Sequence, residues 1–156
     1  MIIRQQININ ALPEKVWKFI ADPNRVMQWN PKLKRVEKVS ISPVGLNYRY
    51  EALYEMNKKQ NVLSCEMVQF EKPAYLKIEY REKNMSDPAG QNRSVTEEYF
   101  SKPEGSGSGT FLEQVVTIRD SSIPLWARML IKWIMSFGKP VGQTYLEKLK
   151  QLVEAP

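Results

Sequence analysis

The stretch that decides the fold lies at residues 2–31 and reads IIRQQININALPEKVWKFIADPNRVMQWNP. Its opening alternates apolar and polar residues, which is the pattern of a half-buried strand. Pro13 then suits the first turn of a helix, because the N–H that proline lacks would be unpaired there anyway. Pro23 ends that helix, and a second short helix stops before Pro31, since the residue before a proline is pushed out of helical geometry. The stretch therefore predicts a strand followed by two short helices.

Strands separated by turn residues follow from Leu33 onward, a pattern typical of an antiparallel meander. With the first strand, the sheet is predicted to have about seven members. The clearest strand alternates aromatic or apolar residues with polar ones, so one face of the sheet is predicted to be apolar and the other solvated. The residues placed on its apolar face are Leu46, Tyr48, Tyr50, Ala52, Tyr54 and Met56.

Helical periodicity returns after Ser121 and continues to Val153. Gly138 and Pro140 interrupt it, and a kink or break is expected there because proline removes a donor and clashes with the preceding turn. The final part is amphipathic, so we expect it to pack on the sheet. The sequence therefore predicts one α+β domain over residues 1–156, in which a strongly curved antiparallel sheet wraps a long C-terminal helix.

The opening stretch also contains a recognisable series of residues. Its members are Ala11, Pro13, Val16 and Trp17, followed by Asp22, Pro23, Trp29 and Pro31. This series and the order of the elements resemble the START-like superfamily, which includes polyketide cyclase-like and Bet v 1-like proteins. The resemblance implies the helix-grip fold, whose inward sheet face lines a ligand cavity. Members of that superfamily bind lipids, sterols, hormones or polyketides and others are enzymes or partner-binding regulators, so the fold alone selects no function.

Histidine is absent from the chain. Its absence removes the commonest general base near neutral pH and the usual zinc ligand, and no glycine-rich phosphate loop is present either. Cys65 is the only cysteine, which excludes an intramolecular disulfide and a cysteine-only metal site. We therefore expect no metal ion and no cofactor, and catalysis is disfavoured.

The chain carries a net charge of +6, which favours anionic surfaces in general. Its basic residues are grouped at positions 32–38 and at Lys58 and Lys59, without interleaved aromatic side chains that could stack on bases. A solvated strand face explains these groups better than a nucleic-acid partner. The single cysteine and a start without an apolar signal region predict a cytoplasmic protein.

Tyrosines form the densest candidate site. A tyrosine in a concave site offers an apolar body and one hydrogen-bonding tip, which suits a ligand hydroxyl or carbonyl. Core packing and cross-strand pairing explain the same tyrosines, and the resemblance favours a cavity lining. The predicted ligand-binding residues on the sheet are Tyr48, Tyr50, Tyr54, Glu66, Tyr80 and Tyr99.

Two sets of carboxylates are candidates for a polar anchor. Glu66 lies in an otherwise apolar strand, and it would anchor a ligand or donate a proton if it pointed into the cavity; a surface position is the alternative. Glu97 and Glu98 are neighbours in a strand, so they are predicted to point to opposite faces and cannot both enter one site. We therefore choose Glu66.

Residues 123–137 are apolar on almost every side, interrupted by the narrow polar stripe of Arg128, Lys132 and Ser136. The segment is too short and too charged to span a bilayer. Its apolar surface is predicted to meet the cavity, a membrane surface or a second subunit as a homodimer. Met129, Trp133 and Phe137 recur at helical spacing and are predicted to face the sheet and join the ligand-binding residues.

Three functions are compatible with this sequence. The first is a binding module that encloses a lipid, isoprenoid or aromatic molecule between the sheet and the C-terminal helix. The second, drawn from the resemblance, is an enzyme of the polyketide cyclase or dehydratase type, with Tyr and Glu as the proton-transferring groups. The third is a regulator that associates with a membrane or a protein through residues 123–137. We expect the first of these.

Overall fold

The structure is a computed structural model that describes residues 1–56, 59–82, 94–105, 107–119 and 143–156. Seven strands and three helices lie in these ranges. In chain order they are β1 (Ile2–Ile9), α1 (Pro13–Ile20), α2 (Pro23–Trp29), β2 (Leu33–Lys38), β3 (Arg49–Met56), β4 (Lys59–Glu71), β5 (Tyr75–Glu82), β6 (Ser94–Glu104), β7 (Gly109–Arg119) and α3 (Gln143–Glu154). The predicted α+β class and the order of the elements are confirmed.

The strands form one antiparallel sheet in the order β1-β7-β6-β5-β4-β3-β2. Strands β2 to β7 follow one another as a meander, so each pairs with its neighbours along the chain. β1 is added beside β7, where its register runs from Ile2 opposite Thr117 to Ile9 opposite Thr110. The sheet is open and curved, in agreement with the predicted helix-grip fold, and β1 and β2 are its two edges.

Two short helices, α1 and α2, connect β1 to β2. We call this pair of helices the helical corner. Pro13 occupies the first turn of α1, as predicted, and Pro23 lies beyond the end of α1 and occupies the first turn of α2. The side chain of Asp22 caps α2, accepting a hydrogen bond from Asn24 N at 2.9 Å, which satisfies one of the free N–H groups at the helix start. The indole N–H of the buried Trp29 donates to the Phe19 carbonyl at 3.1 Å. Trp29 therefore links α2 to the end of α1.

The third helix packs against the edge strand β1 and the two short helices. Leu146, Leu149 and Val153 are fully buried, so the predicted amphipathic packing is found in α3. The Asn10 N–H donates to the Glu154 carboxylate at 2.6 Å, which ties the end of α3 to the end of β1. Residues 120–142, including the break predicted at Gly138 and Pro140, lie outside the described residues.

The third strand begins later than the alternation predicted. Leu46 was placed on the apolar face, but 59% of its surface is exposed. Asn47 has a φ of 62°, a left-handed conformation that interrupts an extended chain. The regular strand therefore starts at Arg49, and Tyr48, Tyr50, Ala52 and Tyr54 keep the predicted facing.

Candidate functional site

Four tyrosines meet on the inner face of the sheet, supplied by three strands. Tyr50 and Tyr54 come from β3, Tyr80 from β5 and Tyr99 from β6. Side chains in a strand alternate between faces, so residues two or four apart on β3 share the inner one. Tyr50, Tyr80 and Tyr99 are buried, and the rings of Tyr54 and Tyr80 meet edge to face at 6.2 Å. The sequence placed all four on this face; a ligand-binding role for them stays a prediction.

A narrow pocket lies between these tyrosines and the helical corner. It is bounded by the four tyrosines, by Glu97 and by apolar side chains from α1, α2 and strands β2, β4 and β5. The apolar residues are Ile20, Pro23, Val26, Leu33, Met67 and Ile78. The free space is about 10 Å³, which is room for about one water molecule. The pocket therefore matches a single polar group in size.

Glu97 is the polar centre of this pocket. The Tyr80 hydroxyl donates to Glu97 Oε2 at 2.5 Å, and the Tyr99 hydroxyl donates to Glu97 Oε1 at 2.6 Å. The Gln114 amide N–H donates to the same Oε1 and to the Tyr99 hydroxyl, the latter at 3.2 Å. All three partners donate to the carboxyl group, which is the arrangement that an ionised carboxylate accepts. We call Glu97, Tyr80, Tyr99 and Gln114 the polar cluster.

Burial keeps these phenols protonated. It raises the pKa of Tyr80 and of Tyr99 well above the ordinary value for tyrosine, and the adjacent Glu97 carboxylate raises both further. Burial is also the largest cause of the raised pKa values of Tyr50 and Tyr54. At neutral pH the phenols therefore act as neutral hydrogen-bond donors, not as bases.

Cys65 lies on the same inner face and is fully buried. Burial raises the pKa of its thiol to about 12. A thiol that stays protonated is a poor nucleophile and metal ligand. Within the described residues, no group of three or more Cys, Asp or Glu side chains is arranged to hold a metal ion.

Tyr48 is buried but lies to one side of the pocket, whose lining does not include it. Its ring lies 6.0 Å from that of Tyr50. Burial raises the pKa of Tyr48, and the Asp22 carboxylate at the start of α2 adds to the shift. Tyr48 therefore joins the sheet to the helical corner, and the structure does not bring it to the polar cluster.

Glu66 does not reach the pocket. Its neighbours Cys65 and Met67 are fully buried on the inner face, so the alternation of β4 turns the Glu66 side chain to the other face. It is partly exposed and paired in register with Arg49 of β3. The pocket lining therefore contains Glu97 and not Glu66, to which we assigned the polar anchor from the sequence.

Glu97 and Glu98 point to opposite faces, as predicted. Glu97 joins the polar cluster, whereas Glu98 accepts a hydrogen bond from the Tyr75 hydroxyl at 2.6 Å. The Tyr75 ring stacks on Phe100, which is partly exposed on the same outer side. One strand therefore carries two carboxylates bound to phenols, one in the pocket and one on the solvated face.

Residues 123–137, with Met129, Trp133 and Phe137, lie outside the described residues. Their predicted place facing the sheet, and the predicted membrane or homodimer contact through this segment, stay predictions. Among the helices that the structure describes, none combines the length and the apolar character needed to cross a bilayer.

Comparison with known proteins places the chain in a family. The family model for polyketide cyclase/dehydrase and lipid transport matches residues 2–154. None of the curated proteins compared with the chain matches it.

Solved structures share the fold at low sequence identity. A START superfamily protein from Mycobacterium smegmatis superposes with a TM-score of 0.66 at 12% identity, over 98% of this chain and 97% of that one. The major latex-like protein 151 from Panax ginseng gives a TM-score of 0.67 at 6% identity, over 99% and 98%. Ara h 8.0201 gives 0.63 at 11% identity, over 98% and 97%.

These structures support the same architecture, and the family model spans nearly the whole sequence. The predicted resemblance is confirmed. The chain belongs to the polyketide cyclase/dehydrase and lipid transport family, and it shares the fold of the START superfamily protein and of Ara h 8.0201.

Proposed function

We propose that this protein binds a hydrophobic small molecule, such as a lipid, an isoprenoid or a polyketide-like aromatic compound, and orients it through the polar cluster. The observation that carries the proposal is the Glu97 carboxylate in a pocket whose other walls are tyrosines and aliphatic side chains. Binding sites for small molecules combine such apolar walls with a few well-placed polar groups. The family description, which includes lipid transport, agrees with this class of ligand.

The polar cluster defines what the ligand must offer. A carboxylate has about four lone-pair sites for hydrogen bonds, and Tyr80, Tyr99 and Gln114 occupy three of those of Glu97. The remaining site accepts one more donor. The ligand therefore presents a hydroxyl or an amine to Glu97.

The size of the pocket limits which part of the ligand it takes. About 10 Å³ of free space fits a hydroxyl or an amine, whereas whole ligands occupy pockets of roughly 300–1,000 Å³. We therefore assign to this pocket the polar end of the ligand. Ile20, Leu33 and Met67 supply apolar contact beside it.

A matched pair of variants tests the proposal. Native mass spectrometry of the purified protein detects a compound that copurifies with it. Thermal unfolding is then measured with that compound, or with a panel of fatty alcohols, fatty amines and fatty acids, to identify a ligand. Because a ligand that binds only the native state raises its stability, the melting temperature of the parent protein rises. Glu97→Gln should lower the affinity by about tenfold or more, since the amide no longer offers a charged acceptor.

Glu98→Gln is the control. It removes the same charge from the adjacent residue on the outer face, so ligand binding should be unchanged. Equal loss of binding in both variants would contradict the assignment of Glu97, and a protein that binds none of these compounds would overturn the proposed function.

Catalysis of the cyclase or dehydratase type is the second candidate. It is favoured by one observation, which is the direct hydrogen bonding of a carboxylate to two phenols in one pocket. Glu97 would accept a proton and Tyr80 or Tyr99 would donate one. Loss of turnover with ligand binding retained in Glu97→Asp and Tyr80→Phe would favour this function over binding alone.

A further inference from the structure

The loop between β2 and β3 concentrates exposed apolar side chains. Of the seven large hydrophobic residues that the described part of the chain exposes, four lie in this loop: Val39, Ile41, Val44 and Leu46. Ile41 is the most exposed of the four, with 98% of its surface accessible to solvent. Single exposed apolar residues are ordinary on soluble proteins, but a cluster of them marks an interaction site. We call residues 39–46 the apolar loop.

Hydrogen bonds hold the base of the apolar loop. Ser40 N donates to the Arg49 carbonyl at 3.0 Å, and Arg49 N donates to Ser40 Oγ at 2.7 Å. Lys38 Nζ donates to the Ile41 carbonyl at 3.2 Å. Tyr48 N donates to the Gly45 carbonyl at 3.1 Å, which closes the far end. The apolar side chains are therefore presented by an ordered turn.

Basic residues lie along β2, which leads into the apolar loop, and at Arg49, where β3 begins. Between positions 32 and 49 the chain has five basic residues and one acidic residue, Glu37, so this part of the chain carries most of the net charge of +6. The basic residues are Lys32, Lys34, Arg35, Lys38 and Arg49. Glu37 is already paired with Arg35 at 3.1 Å, while Lys34, Lys38 and Arg49 are exposed.

We propose that the apolar loop is a membrane-docking element that inserts Ile41 and Leu46 into the headgroup region of an anionic phospholipid bilayer. Apolar side chains gain free energy by leaving water at the boundary of the acyl chains, and nearby lysines and arginines are attracted to the negative surface of the lipid. The charge selects an anionic membrane over a neutral one. This docking is separate from ligand binding and does not depend on it.

Vesicle flotation tests the proposal. The parent protein is mixed with vesicles of phosphatidylcholine alone, or with about 30% phosphatidylserine, at about 0.1 M salt. We expect binding to the anionic vesicles that weakens as salt is added. The double variant Ile41→Ser/Leu46→Ser should bind about tenfold more weakly, and Lys34→Gln and Lys38→Gln about fivefold more weakly each.

Ile2→Ser/Leu12→Ser is the matched control. These residues are the other two exposed aliphatic side chains of the described part of the chain, each 55% exposed and remote from the apolar loop in sequence. We expect this variant to float with the vesicles as the parent protein does. Circular dichroism and the melting temperature verify that both double variants are folded.

A fluorescent reporter tests insertion directly. Cys65 is fully buried, so an environment-sensitive dye attached to Ile41→Cys reports mainly on the loop. Its emission should shift to the blue on anionic vesicles, whereas the same dye on Leu12→Cys should not change. An unshifted dye at position 41 would overturn the proposal.

The proposal would also be overturned if the parent protein bound no vesicles, or if it bound neutral and anionic vesicles equally. Trp126 belongs to the apolar segment 123–137, the alternative membrane contact. Vesicle binding that is lost in Trp126→Ala but kept in Ile41→Ser/Leu46→Ser would overturn the proposal as well. A dimer in solution that the loop variant dissociates, with no lipid binding, would assign the loop to a second copy of the chain instead.

Discussion

The hydroxyl of Tyr80 donates to the carboxylate of Glu97 at 2.5 Å, between adjacent strands of the sheet. Ile78 of β5 lies directly opposite Glu97, and Tyr80 is two residues further along β5. Tyr80 and Glu97 are therefore diagonal neighbours on the inner face. A partly buried carboxylate needs its donors, because an unpaired charge away from water is costly. The polar cluster therefore stabilises the fold as well as defining the proposed binding site.

Tyr80→Phe should destabilise the protein. The variant keeps the ring and removes one donor from Glu97, which should lower the free energy of unfolding by about 1–3 kcal/mol. Urea denaturation followed by circular dichroism measures the change. Tyr75→Phe is the control, because it removes the corresponding hydrogen bond to Glu98 on the outer face, where water replaces the lost donor. Equal effects of the two changes would contradict a special role for the polar cluster.

Two buried hydroxyls near the β6–β7 turn should respond to removal in opposite ways. Ser101 Oγ has no hydrogen-bond partner in the described part of the chain, whereas Thr110 Oγ1 donates to the Ala11 carbonyl at 2.5 Å. Ser101→Ala should therefore raise the free energy of unfolding by about 1 kcal/mol, and Thr110→Val should lower it by about 1–3 kcal/mol. Chemical denaturation measures both. A destabilised Ser101→Ala variant would show that the serine hydroxyl is paired in solution.

Alkaline pH should destabilise the fold. Burial raises the pKa of Cys65 to about 12 and that of Tyr80 well above its ordinary value. In the unfolded chain these groups lose their protons near their ordinary values of about 8.5 and about 10. Above those values the unfolded state binds fewer protons than the folded state, so the free energy of unfolding falls by about 1.4 kcal/mol per pH unit for each group.

Below both ordinary values this contribution to stability is fully present, and it is lost as the pH rises toward the folded-state values. Urea denaturation at a series of pH values measures it. Cys65→Ser should remove the part of the decline that begins near pH 9. If the folded Tyr80→Phe variant showed less tyrosinate absorbance near pH 10 than the folded parent protein, the raised pKa of Tyr80 would be contradicted.

The alternation of side chains was enough to predict the inner face. Tyr50, Ala52 and Tyr54 lie where period two places them, and the first helix begins at Pro13 and ends before Pro23 as expected. These features are local, so the sequence determines them without knowledge of the partner strands.

The choice of polar anchor depended on which face of the sheet each glutamate side chain occupies, and for Glu66 the sequence was misread. Glu66 lies between Cys65 and Met67, which both point inward. Because neighbouring residues in a strand point to opposite faces, Glu66 must point outward. Glu97 precedes Tyr99 by two residues, so assigning Tyr99 to the pocket already implied an inward Glu97. Gln114 could not be assigned in the same way, because either set of alternating residues in β7 was compatible with the apolar pattern. Its place beside Tyr99 depends on the register of β6 and β7, which the sequence alone does not specify.

The pairing of β1 with β7 has a consequence for how the molecule folds. Strands β2 to β7 pair with their neighbours along the chain, whereas Ile2 of β1 must find Thr117. Contacts between residues so distant in sequence form slowly, since a long loop has to close first. During synthesis, β1 leaves the ribosome before the other strands of this sheet and is therefore among the last to find its partner. Until β7 has been made, the isoleucines of β1 depend on the helical corner or on a chaperone for protection from aggregation.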